Sequence, residues 1–91
     1  MLPKWQKRKY EEFYASTEEN KILDSKTTVM IQLAASFMAG CYPWMEHFFG
    51  VAKEKGLTDD EIGAVQSVVM GVSAGRIRAQ FRQARENMDY E

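Results

Sequence analysis

The segment TVMIQLAASFMAGCYPW, residues 28–44, sets the terms for the whole chain. Wound at about 100° per residue, its apolar side chains cover nearly the full circumference of a helix. Thr28, Gln32 and Ser36, spaced four apart, form the one narrow polar stripe. A helix that is apolar all round is buried on every side. In a chain of 91 residues surface competes with core, so little material is left to bury it. Partner subunits are expected to complete the cover.

The rest of the composition is that of one ordinary globular domain spanning residues 1–91, with 45% apolar and 27% charged residues. Twelve basic and thirteen acidic residues nearly cancel, so no net field draws the chain to nucleic acid or anionic lipid. One cysteine excludes an internally cross-linked secreted scaffold. The basic cluster of the N-terminal segment MLPKWQKRKYEEFY is followed by charged residues and not by an apolar run, so no secretory signal is visible. The central apolar segment falls short of the roughly 20 residues a bilayer span needs, and Gln32 and Pro43 interrupt it. A cytoplasmic, non-membrane chain is expected.

The spacing predicts five helices and no strands. Residues 3 to about 17 form the first, with Pro3 in its first turn. Trp5, Tyr10, Phe13 and Tyr14 give it an aromatic side, interleaved with Lys4, Lys7, Arg8 and Lys9. That interleaving can bind nucleic acid. Glu11, Glu12, Glu18 and Glu19 cancel the charge, so the aromatics are expected to dock on a core or a neighbouring subunit. After a polar connector, Asp24 or Ser25 caps a second helix that stops at Gly40. Pro43 fits the first turn of a third, which reaches about Lys55 and ends at Gly56. Thr58 and Glu61 make a capping box for a fourth, with Ile62, Val65, Val69 and Val72 on one face. Gly71, Ser73 and Gly75 are expected to kink or break it. A last helix, about 74 to 88, shows Ile77, Phe81, Ala84 and Met88 at three- and four-residue spacing, with Arg76, Arg78, Arg82 and Arg85 alongside. Those arginines can grip a phosphate or carboxylate, or simply pair with glutamates and carry a solvated face.

Two residues are candidates for chemistry. Cys41 precedes a helix start, where positive partial charge favours a thiolate; in an apolar segment it serves equally as a small buried hydrophobe. His47, six residues on, falls at the margin of the polar side of the third helix, where it lines a cleft or is solvated. One cysteine and one histidine do not make a metal site, which needs three or four ligands. No glycine-rich phosphate loop or nucleophile elbow appears, and no cofactor is implied.

From Leu23 to Ala84 the chain resembles the carboxymuconolactone decarboxylase superfamily, in particular its small AhpD-like members. An apolar helix, Gly40-Cys41, an aromatic-rich helix and the A-x-x-x-G-x-T-x-x-E-I run from Ala52 to Ile62 carry the resemblance. It implies an all-α, AhpD-like homo-oligomer, often a trimer or hexamer. Active members carry C-x-x-C-x-x-x-H and an upstream glutamate. Here only Cys41 matches: Val29 stands at the glutamate position, Trp44 at the second cysteine and Phe48 at the histidine. His47 sits one residue early, about 100° around the helix.

A dithiol enzyme needs a second thiol to resolve the disulfide or sulfenic acid formed on the first. Without one, the expectation is a non-catalytic binding or structural module whose dithiol peroxidase site is largely lost. The alternative is a single-cysteine thiol peroxidase or reductase using Cys41, with His47 beside it. A third possibility is a thiol-independent lyase, in which Arg76 binds a carboxylate and His47 moves a proton.

Overall fold

The computed structural model describes residues 1–89. Among them are four α-helices and no strand: α1 (Lys4–Glu18), α2 (Ser25–Ala39), α3 (Tyr42–Glu54) and α4 (Asp59–Asp89). The all-α expectation holds, and four helices replace five.

The helix ends follow from local chemistry. Asp24 caps α2, its carboxylate accepting the Thr27 N–H at 2.7 Å. Gly40 closes α2 at φ 65°, a left-handed backbone that costs glycine nothing. Pro43 lies in the first turn of α3. That helix ends in a Schellman turn: the Gly56 N–H donates to Lys53 C=O at 3.1 Å and the Leu57 N–H to Ala52 C=O at 3.0 Å. Leu57 and Ala52 are both buried, which is the apolar contact that accompanies this motif. The capping box of α4 forms as predicted, with the Thr58 N–H on Glu61 Oε1 at 2.9 Å and the Glu61 N–H on Thr58 Oγ1 at 3.1 Å.

The expected break at Gly71–Gly75 does not occur, and α4 runs on for 31 residues. Neither glycine adopts positive φ. Each costs a helix only about 0.5–1 kcal/mol, less than an interruption that strands a turn of backbone groups. Ser73 there spends its hydroxyl on Met38 Sδ of α2, at 3.5 Å.

The core is small. Val29 and Leu33 of α2, Phe48 and Ala52 of α3, Leu57 and Ile62 are its buried hydrophobic members. Helix α2 packs on α3 and α4, whereas α1 contributes no buried residue. The polar stripe of α2 behaves contrary to its chemistry. Thr28 and Ser36 face inward, while Ile31 and Met38 remain 53% and 44% exposed. The two hydroxyls tolerate burial because each is satisfied: Thr28 donates to Asp24 C=O and Ser36 to Leu33 C=O. The apolar-all-round helix is thus left half uncovered by its own chain. The radius of gyration is 17.8 Å, against about 12 Å for a compact domain of this length.

Asparagine 20 organises the connector between α1 and α2. Its amide nitrogen donates to Thr17 C=O and Thr28 Oγ1, and its oxygen accepts the N–H groups of Ile22 and Leu23. Three carboxylates are held below their usual pKa. Asp24 is lowered chiefly by the Thr27 N–H, Asp59 by its hydrogen bond to Lys53, and Glu61 by the Thr58 N–H. Because their folded values lie below the unfolded ones, their contribution is complete above about pH 5 and is lost as pH falls through the depressed values. Thermal melts between pH 7 and pH 2 should show the midpoint falling below about pH 5, and Asp24→Asn should flatten that fall.

Candidate functional site

The junction of α2 and α3 places the candidate residues. Cys41 is the N-cap of α3, with extended backbone, and its side chain is a partly exposed free thiol making no capping bond. His47 is exposed nearly two turns further on, its ring edge-on to Trp44 at 5.9 Å and to Phe48 at 5.0 Å. Val29 is 1% exposed and belongs to the core. Trp44 and Phe48, one helical turn apart, stack at 5.3 Å with ring planes only 15° apart. Tyr14 of α1 leans on the free side of Trp44 at 6.1 Å, which carries the aromatic run across to Tyr10.

Two grooves flank this stack. One, of about 280 Å³, is walled by Tyr14, Gln32, Ser36, Trp44 and Phe48 and is almost wholly apolar. The other, wider and about 510 Å³, is lined by Tyr14, Glu18, Pro43, Trp44 and His47. Cys41 lines neither groove, so His47 and Cys41 do not share a cleft there. Arg76 is likewise not among the residues lining the His47 groove. The Tyr14 phenol is raised above its ordinary pKa, first by burial and then by Glu18 and Tyr10. Among the described residues no group of three or more metal-ligating side chains gathers. No described helix is long and apolar enough to cross a membrane.

A model of the carboxymuconolactone decarboxylase family matches residues 5–86. The chain belongs to that family. No curated protein and no solved structure matches it. The match reaches beyond the Leu23–Ala84 resemblance to take in α1, although α1 barely touches the core.

Sequence reasoning missed the part played by Tyr14, Gln32 and Ser36 in walling the apolar groove. The available signal was the spacing of Gln32 and Ser36, which puts both on one face of α2. A polarity pattern does not register that Ser36 satisfies its own hydroxyl on the Leu33 carbonyl and needs no water.

Proposed function

We propose that this family member is a homo-oligomeric, AhpD-like module that binds or scaffolds and that has lost dithiol peroxidase chemistry. The observation that carries this is the Trp44–Phe48 stack over a core containing Val29. All three positions where active relatives of the resemblance hold thiol, imidazole and carboxylate here hold packing groups. Trp44 cannot attack a sulfenic acid or mixed disulfide, and Val29 and Phe48 cannot carry a proton. Large exposed hydrophobics such as Ile31, Phe49, Ile77 and Phe81 support the oligomeric half of the proposal.

With an alkyl hydroperoxide and dithiothreitol, the purified protein should consume peroxide no faster than its Cys41→Ser variant. Consumption abolished by that substitution would overturn the proposal.

The partial exposure of Cys41 favours one alternative, a single-cysteine peroxidase. Its thiolate would attack the distal peroxide oxygen, releasing alcohol and leaving a sulfenic acid. One external thiol would then displace water to form a mixed disulfide, and a second would attack the external sulfur of that bond, freeing Cys41 as its thiol while the two external thiols form a disulfide. This alternative requires iodoacetamide to alkylate Cys41 much faster than it does a free thiol at neutral pH.

A further inference from the structure

Helices α2 and α4 run parallel in a fixed register. Lys26 meets Glu61 near the start of the pair and Met38 meets Ser73 near its end, both contacts joining residues 35 apart. Since α2 stops at Ala39, α4 outruns it from about residue 75 onward. Fifteen residues of helix, about 22 Å, project past the end of their only long neighbour. Every residue from 74 to 89 is exposed.

That projection carries a face of its own. Met70, Ala74, Ile77, Phe81, Ala84 and Met88 alternate at spacings of four and three, the pattern of a coiled-coil seam. At 100° per residue the seam lies roughly a quarter turn or more away from the Ile62–Val65–Val69 side that faces α2, so it is free for another chain. Earlier on the same face stand Gly63, Gln66 and Ser67. The apolar run therefore begins only as α4 approaches the end of α2.

The residues flanking the seam say which chain covers it and how. Arg78 and Arg85 lie on one flank, and Ser73, Gln80 and Asn87 on the other. In an antiparallel pair like flanks meet, so arginine would face arginine. In a parallel pair opposite flanks meet, which sets Gln80 against Arg85 of the partner subunit, while Ser73 stays on Met38 of its own chain. None of the four distal arginines makes an ion pair among the described residues. We propose that the distal half of α4 is a parallel, in-register seam between two copies of this chain. The proposal rests on the oligomeric reading above and names its contact. The nucleation cost of the paired helix is already met, because α2 holds its first half in place.

The test uses the full chain and sedimentation velocity. Phe81→Asp should raise the dissociation constant at least tenfold, and Phe81 is 66% exposed in the single chain, so its own fold does not depend on it. Gln80→Glu should tighten association by facing Arg85 of the partner subunit. In a Cys41→Ser background, Ala84→Cys should cross-link to its own copy on mild oxidation, since parallel register sets residue 84 against itself. Unchanged mass in Phe81→Asp, weaker association in Gln80→Glu, or no cross-link at residue 84 would each overturn the seam. If the unmodified chain is still oligomeric in those cases, the seam alone fails; if it is monomeric, the oligomeric reading fails with it.

Discussion

Val29→Glu, which reinstates the acidic residue of the active relatives, is expected to destabilise the chain more than any other single change. Val29 is 1% exposed and lies among Leu33, Phe48 and Ile62 in the core. Those neighbours offer a carboxylate no donor, and in the cleft that Val29 borders Lys55 and Gln32 stand beside Glu18 and Glu19, which repel a further negative charge. An uncompensated buried charge costs about 3–5 kcal/mol, a large share of the roughly 5–15 kcal/mol that holds a domain together. Burial raises the new carboxyl's folded pKa above its unfolded value of about 4.3. The penalty is therefore full above the folded pKa and shrinks as pH falls toward the unfolded one. The gap in melting midpoint between the variant and the unmodified protein should be widest at pH 7 and narrow toward about pH 4. Equal midpoints at pH 7 would mean that water or a cation reaches this position, and the lost-site proposal would weaken accordingly.

Leu33→Ala should come next. Leu33 is fully buried and is the largest side chain of which that is true. Truncating such a leucine removes its transfer free energy and leaves a cavity, at about 2–5 kcal/mol. The core has six buried hydrophobic members, so few neighbours can collapse into the space. Chemical denaturation should show the midpoint falling with little change in slope. A loss below about 1 kcal/mol would indicate that the core relaxes freely and contributes less than its burial implies.

The parts of the fold that were legible in the sequence are those decided within a few residues. Asp24 with Thr27, Gly40, and Thr58 with Glu61 each act over a single turn, so spacing alone locates them. The continuity of α4 was not legible, because Gly71 and Gly75 carry a modest local cost that tertiary contact overrides. Ser73 on Met38 is such a contact. Val72, expected beside Val65 and Val69, is 60% exposed because it lies level with the last turn of α2, where Ser73 meets Met38. The inward turn of Thr28 and Ser36 depended on acceptors supplied by the backbone of the previous turn, which a polarity pattern does not register.

At the candidate site, the replacement of thiol, imidazole and carboxylate was readable position by position. The grooves beside Trp44 were not, because both need α1 to lay Tyr14 against Trp44, a contact between residues thirty apart in the chain.

The proposed oligomer rests on the six-member core seen among the described residues, which leaves Ile31 and Met38 of α2 in water. The direct test is the melting midpoint followed from high to low micromolar concentration, together with the mass in solution. The expected mass is at least twice 10.5 kDa, with a midpoint that falls on dilution. A 10.5 kDa particle that melts cooperatively at one temperature throughout the dilution series would contradict it.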